Sequence, residues 1–129
     1  MSAVILDHTA LSALGAGNRG LSRLVAEPHR TTEDYVVVPA LCLAAATVER
    51  PALADHVGSL PAINVVELDF SGAAAVGHLI NDGADWRMAH AVHVARPNVE
   101  WPDGCTVFSS SPDQYRQFGI PAIPVSSMN

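Results

Sequence analysis

Two groups of side chains have the residue types and spacing that could support chemistry. His90 and His93 are three residues apart on a predicted helix, from which two imidazoles could bind one transition metal. Ser109, Ser110 and Ser111 form a run of hydroxyls, but a serine hydrolase also needs an activating histidine and an orienting acid. No further ligands or partners are recognisable for either group. We therefore interpret the imidazoles as partly buried or surface side chains and the hydroxyls as strand-end hydrogen-bonding groups.

Two other features suggest chemistry less strongly. The segment Gly15–Asn18 resembles a phosphate loop only superficially, because it follows a predicted helix and lacks the Lys and Ser/Thr of a P-loop. We interpret it as a turn that ends a helix. Cys42 and Cys105 cannot build a disulfide framework, and we expect both to be free thiols.

Composition excludes several classes of protein. The chain has 129 residues, a formal net charge of −6 and seven basic residues, all arginine and all isolated along the sequence. This disfavours unaided tight binding to nucleic acid, which depends on clustered cations. Hydrophobic residues make up 49% of the chain, which excludes a disordered segment. No apolar run approaches the roughly 20 residues of a membrane span, and no basic region precedes the N-terminal apolar run, so we expect a cytoplasmic protein without membrane contact. The Ala/Val/Arg bias without lysine is typical of a bacterial genome rich in GC.

Apolar runs of strand length alternate with helical segments along the chain. The predicted strands are Ala3–Leu6, Val36–Val38, Ile63–Leu68, Cys105–Phe108 and Ala122–Val125. The predicted helices are Thr9–Leu14, Gly20–Glu27, Ala40–Ala46, Ala52–Leu60, Ser71–Asn81, a helix capped by Asp85 and ending at Ala95, and Pro112–Phe118. This alternation predicts one α/β domain over residues 1–129 with a mainly parallel sheet.

Five short segments in this order resemble a PIN domain from end to end. They are Val4–Leu11, Val38–Leu41, His90–Ala95, Ser109–Asp113 and Ile120–Val125. The resemblance implies a three-layer α/β/α sandwich around a central parallel sheet. It also implies descent from metal-dependent ribonucleases, many of which are toxins of toxin–antitoxin pairs.

PIN ribonucleases gather three or four carboxylates at the carboxyl ends of the strands, where these ligands hold Mg²⁺ or Mn²⁺. In this sequence Asp7 occupies the first of those positions. Ala45, Met88 and Ser111 occupy the other three, and none of them carries a carboxylate. One carboxylate cannot assemble a two-metal site, so we expect neither a bound metal nor another cofactor.

Asp7 itself has two interpretations. As a remnant of a metal site it would face the pocket and bond to Thr9 and the hydroxyls of Ser109–Ser111. As a structural residue it would cap the helix that follows it.

Three further carboxylates lie near the replaced positions in sequence. Asp82 and Asp85 precede Met88, and Asp113 lies two residues after Ser111. If the helix already includes Asp85, this residue shares a face with Met88, and a relocated metal site is conceivable. The alternative is that these residues cap helices or lie in their first turns.

The resemblance and the missing carboxylates together predict a non-catalytic binding or scaffolding module with an unidentified protein partner. The alternative is a weak or relocated ribonuclease that acts on RNA with Mg²⁺ or Mn²⁺. Small apolar side chains on the helix of Leu41–Val48 and on Ala73–Val76 also predict a homodimer, which is common in the PIN family.

Overall fold

The computed structural model describes residues 2–26 and 34–128. Its five strands are β1 (Ser2–Leu6), β2 (Asp34–Pro39), β3 (Ile63–Val66), β4 (Thr106–Ser109) and β5 (Ala122–Pro124). Its helices are α1 (His8–Gly15), α2 (Arg19–Ala26), α3 (Ala40–Glu49), α4 (Leu53–Gly58), α5 (Phe70–Asn81), α6 (Trp86–Ala95) and α7 (Pro112–Arg116), and a 3₁₀ turn covers Val125–Met128.

The strands form one sheet in the order β3-β2-β1-β4-β5, and every neighbouring pair is parallel. Parallel neighbours need crossover connections, and helices supply them here. The expected α/β class with a central parallel sheet is therefore confirmed, and the arrangement is that of a three-layer α/β/α sandwich.

Alternate side chains of the central strands pack into two apolar cores on opposite faces of the sheet. Ile5 and Val37 belong to one core with α5 and α6, whereas Leu6, Val36 and Val38 belong to the other with α1, α2 and α4. This follows from the two-residue period of a strand, and it explains why the buried strands read as continuous apolar runs.

Several predicted boundaries differ from the structure by a few residues. The third strand stops at Val66, since Glu67 and Leu68 already lead into α5, and the last strand stops at Pro124. The helix after Ser111 ends at Arg116 instead of Phe118. The predicted end of the second helix at Glu27 lies outside the described residues. Within the described part of the chain, no helix combines the length and the apolarity that crossing a membrane requires.

Candidate functional site

The carboxyl ends of β1 and β4 lie side by side where the direction of the crossovers changes. From β1 the chain moves outward through β2 to β3, then returns across the sheet to β4 and continues to β5. Such a switch point leaves a crevice at the ends of the strands, where open α/β sheets bind ligands. Asp7 follows β1 and Ser110 follows β4, so two of the candidate residues lie at this crevice.

The carboxylate of Asp7 is enclosed by its own neighbours. The residue is 0% exposed. Its Oδ1 accepts the backbone N–H of Ala10 at 2.9 Å and the Thr9 hydroxyl at 2.6 Å, and its Oδ2 accepts the Tyr115 hydroxyl at 2.8 Å. The bond from Ala10 makes Asp7 the N-cap of α1. Three donors thus compensate a buried charge, and both oxygens are already in use.

Tyr115 is a member of the site that the sequence did not indicate. It lies on α7, 108 residues from Asp7, and its side chain is fully buried. Burial first, and then the negative charge of Asp7, raise the pKa of the Tyr115 phenol well above its usual range. The phenol therefore stays protonated and keeps its proton directed at the carboxylate. A lone tyrosine in a short helix has no distinguishing spacing in the sequence.

The hydroxyls around Asp7 join α1 to the loop after β4. Thr9 Oγ1 donates to Asp7 and accepts the backbone N–H of Ser110 at 2.8 Å. Ser109 Oγ lies 3.4 Å from Thr9 Oγ1 and accepts the backbone N–H of Ser111 at 2.9 Å. In the described residues no hydrogen bond joins these serines to Asp7 or to a histidine, so the serines act as turn-forming groups.

The other three positions expected from the PIN resemblance provide no carboxylate. Ala45 is buried on α3, and Met88 is buried on α6 in the same apolar cluster as Cys42 and Tyr115. Ser111 is at the N-cap position of α7, but its side chain makes no capping hydrogen bond.

The residues present do not fit the Mg²⁺ or Mn²⁺ that the resemblance implies. Both oxygens of Asp7 accept hydrogen bonds, and a methyl group and a thioether, at Ala45 and Met88, offer nothing to a hard cation. No group of three or more His, Cys, Asp or Glu side chains that could hold a metal occurs within residues 2–26 and 34–128.

Of the three nearby aspartates, Asp85 and Asp113 are paired with arginines, and Asp82 lies at the end of α5. Asp85 is the N-cap of α6, and its carboxylate accepts two bonds from the Arg87 guanidinium at 3.0 and 2.8 Å. This pairing, chiefly, lowers the pKa of Asp85 to about 2. Asp113 is exposed and pairs with Arg116 at 2.7 Å, and Asp82 is an exposed C-cap of α5. Since α6 begins at Trp86, Asp85 does not share a helical face with Met88.

The two histidines of α6 do not act as a ligand pair. His90 is buried, and its Nδ1 accepts the backbone N–H of Leu41 at 3.2 Å. It thereby caps α3, whose N-cap residue Pro39 makes no side-chain capping bond. Burial, followed by the nearby His93, lowers the pKa of His90 to about 4, so the ring is neutral at pH 7.

Both cysteines are free and buried. Cys42 Sγ lies 3.4 Å from the backbone oxygen of Arg87. Burial, and secondly the charge of Asp7, raise the pKa of the Cys42 thiol beyond the physiological range. Burial likewise raises the pKa of the Cys105 thiol. Neither thiol is therefore an activated nucleophile.

An open groove of about 530 Å³ borders α1 and the loop after β4. It is lined by His8, Thr9, Ser12, Ala13, Ala16, Glu49, Arg87, Ser110 and Ser111. His8 is nearly buried, and its Nδ1 has no hydrogen-bond partner within the described residues. The groove thus has hydroxyls and a few charges on its surface, and the fully buried Asp7 is not among the residues that line it.

Comparisons of the sequence with models of protein families and with curated proteins give no match.

Proposed function

We propose that this chain is a PIN-like domain that has lost ribonuclease chemistry and acts as a non-catalytic binding module. The observation that carries the proposal is the state of Asp7, whose carboxylate is fully buried and bonded to Ala10, Thr9 and Tyr115. A metal ligand needs an oxygen lone pair that the ion can reach, whereas this carboxylate is 0% exposed and already accepts three hydrogen bonds from the protein.

The surroundings of Asp7 support the same proposal. Ala45 and Met88 replace ligands with apolar groups that pack well, as expected where the fold is required and the chemistry is not. A relocated site would require Asp85 and Asp113 to leave Arg87 and Arg116. The fold itself, with a parallel sheet and a crevice at its switch point, suits a PIN-like domain.

The loss of chemistry is tested by incubating the protein with a single-stranded RNA pool and Mn²⁺. We expect no cleavage above that of Asp7→Asn, with Asp69→Asn as a matched control at another helix N-cap. Circular dichroism verifies that each variant is folded. Metal-dependent cleavage that disappears in Asp7→Asn and persists in Asp69→Asn would overturn the proposal. Cleavage that disappears in Asp85→Asn or Asp113→Asn would favour the relocated site.

The PIN-like part of the proposal is tested by restoring the missing carboxylates. The triple variant Ala45→Glu, Met88→Asp, Ser111→Asp should melt lower than the parent in chelator, because like charges crowd together. Added Mn²⁺ should raise its melting temperature by several degrees, since the ion binds only the folded state. The amide variant Ala45→Gln, Met88→Asn, Ser111→Asn controls for size. An equal response of the two variants would show that these positions do not form one site.

The expected homodimer remains a prediction. Small exposed side chains do occur on α3 and α5, at Ala44, Ala73 and Ala74. Light scattering at tens of micromolar should give twice the monomer mass of 13.6 kDa if these faces pair.

A further inference from the structure

The two edge strands of the sheet, β3 and β5, differ in how their outward backbone groups are satisfied. Along a strand in a parallel ladder, alternate residues direct their N–H and C=O groups to the neighbouring strand, and the residues between them direct theirs away. At an edge the second set is available to a strand from another chain, and most proteins block it with proline, charge or a covering segment.

The edge of β5 is closed. A backbone N–H of β4 donates to the Pro121 carbonyl at 3.0 Å, so the alternation directs the backbone groups of Ala122 and Pro124 outward. The Ala122 carbonyl accepts a bond from the Arg116 guanidinium at 3.0 Å, and the Pro124 carbonyl accepts one from the Ser127 hydroxyl at 2.7 Å. Proline has no N–H to offer, so an incoming strand finds few partners here.

On β3 the register with β2 fixes which residues bond to the sheet. Val66 lies opposite Pro39. A ladder through Ile63 and Val65 would require Pro39 to donate an N–H to the Val65 carbonyl, and proline has none. The ladder therefore runs through Asn64 and Val66, and Val65 directs both its N–H and its C=O outward.

The residues on either side of Val65 complete an unprotected edge. The Ile63 N–H bonds at 3.2 Å to the Leu60 carbonyl of the preceding turn, which agrees with its outward orientation and leaves its C=O open. The Glu67 N–H has no hydrogen bond within the described residues. The strand itself, Ile63–Val66, contains neither proline nor charge. We call the outward C=O of Ile63, N–H and C=O of Val65 and N–H of Glu67 the open edge.

The open edge is complementary to a second copy of itself. A two-fold axis perpendicular to the sheet brings two β3 strands together antiparallel, with Val65 opposite Val65 and Glu67 opposite Ile63. The two Val65 residues then exchange both of their N–H and C=O bonds, as in any hydrogen-bonded antiparallel pair. Each Glu67 N–H meets the Ile63 carbonyl of the second copy, so every group of both open edges has a partner.

The side chains allow the same pairing. Val65 is 46% exposed, and in this register it lies beside its own copy, where two β-branched side chains pack well. The two Glu67 residues lie at opposite ends of the paired strands, about 14 Å apart at the usual rise per residue. That separation exceeds the distance of about 8 Å over which exposed charges interact strongly at physiological salt. No like charges therefore oppose each other along the paired strands.

We propose that two copies of this chain pair through their open edges and join their five-stranded sheets into one continuous sheet. Each copy carries the same unprotected edge, so one contact closes both. The interface is small, and we expect the dimer to form between micromolar and millimolar concentration. It uses none of the small side chains on α3 and α5, and it does not depend on the loss of ribonuclease chemistry.

Light scattering over this concentration range tests the pairing. The mass of the parent should rise from 13.6 kDa towards twice that value. Val65→Lys places two ammonium groups opposite each other and should hold the mass at that of one chain. Ile123→Lys makes the same change at a 39% exposed residue of the closed β5 edge and should associate as the parent does. Circular dichroism verifies that both variants are folded.

Amide hydrogen exchange followed by NMR tests the register. The amides of Asn64 and Val66 bond to β2 and should exchange slowly at every protein concentration. The amides of Val65 and Glu67 should exchange rapidly in dilute protein and several-fold more slowly at millimolar concentration, because the second copy then accepts their hydrogen bonds. In Val65→Lys the Glu67 amide should lose this dependence on concentration.

Three outcomes would overturn the inference. One is a parent that keeps the mass of one chain at millimolar concentration. Another is association of Val65→Lys equal to that of the parent, and its loss in the double variant Ala73→Glu, Ala74→Glu would assign the contact to α5 instead. The third is exchange of the Val65 and Glu67 amides that does not change with concentration. None of these outcomes affects the RNA cleavage test, so failure here and failure of the proposed loss of catalysis are distinguishable.

Discussion

The starts of α1 and α5 use the same local device in different surroundings. Asp7 and Asp69 each follow a strand or its extension and adopt nearly identical backbone angles, with φ −82° and ψ −176° against φ −81° and ψ −175°. Each accepts the backbone N–H three residues later, at 2.9 Å from Ala10 and 2.7 Å from Gly72. A hydroxyl two residues later completes each motif.

The difference between them lies outside the motif. Asp69 is exposed and its second carboxylate oxygen accepts no hydrogen bond within the described residues, whereas Asp7 is buried and is bonded by Tyr115 from the other end of the chain. If an exposed capping carboxylate is removed, water can accept the backbone N–H bond in its place. Water cannot do this where the cap is buried. The same sequence pattern therefore makes a modest contribution to stability at α5 and a central one at α1.

The largest expected effect on the free energy of unfolding is that of Asp7→Ala, for which Asp69→Ala is the comparison. Removing Asp7 leaves the Tyr115 hydroxyl and the Ala10 amide buried without an acceptor, and we expect a loss of about 4 kcal/mol. Removing Asp69 costs about 1 kcal/mol, as is usual for an N-cap. Urea unfolding of both variants measures these free energies. Equal losses would mean that burial does not distinguish the two caps.

Tyr115→Phe removes only the additional bond to Asp7. We expect a loss of about 2 kcal/mol, because a buried carboxylate loses one of its donors. The double variant Asp7→Ala, Tyr115→Phe should lose less than the sum of the two single variants, since each single variant removes the same hydrogen bond. Strict additivity in the double-mutant cycle would contradict the direct coupling of these side chains.

The start of α3 extends the comparison, because a histidine from α6 caps it instead of an aspartate. The pKa of His90 is lowered to about 4 in the folded state, against about 6.5 in the unfolded chain. The unfolded state therefore binds more protons between these values, and the free energy of unfolding falls as pH decreases from about 6.5 to 4, by at most about 3 kcal/mol. His90→Gln should flatten the dependence of the unfolding free energy on pH in this range. His78→Gln, on the exposed face of α5, should retain that dependence, and urea unfolding at several pH values measures both.

The smallest expected effect concerns the two hydroxyls. Thr9 donates to Asp7 at 2.6 Å and also accepts the Ser110 amide, whereas Ser71 lies 3.4 Å from Asp69 on the surface. We expect Thr9→Val to cost about 1 kcal/mol and Ser71→Ala about 0.3 kcal/mol or less. Thermal unfolding resolves the difference, and an equal cost would show that Thr9 does not tie α1 to the β4 end.

Local patterns in the sequence were sufficient to predict most of the fold. The apolar runs at β1 and β2 indicate strands buried on both faces, and the structure has both strands. The predicted ends of the strands were less accurate than the predicted existence of the strands. At β3, for example, the pairing with β2 ends at Val66, whereas the predicted strand continued through Glu67 and Leu68.

At the candidate site the sequence determined the local role of Asp7, because the cap depends on a carboxylate, a hydroxyl and an amide within four consecutive residues. Only the tertiary structure determined that Tyr115 reaches this carboxylate, that His90 caps α3, and that Val48, Ile80 and Trp86 surround one groove. These contacts join residues separated by 108, 49 and up to 38 positions along the chain. No periodicity encodes such pairs, since they arise only when the parallel sheet and its crossover helices bring distant elements together.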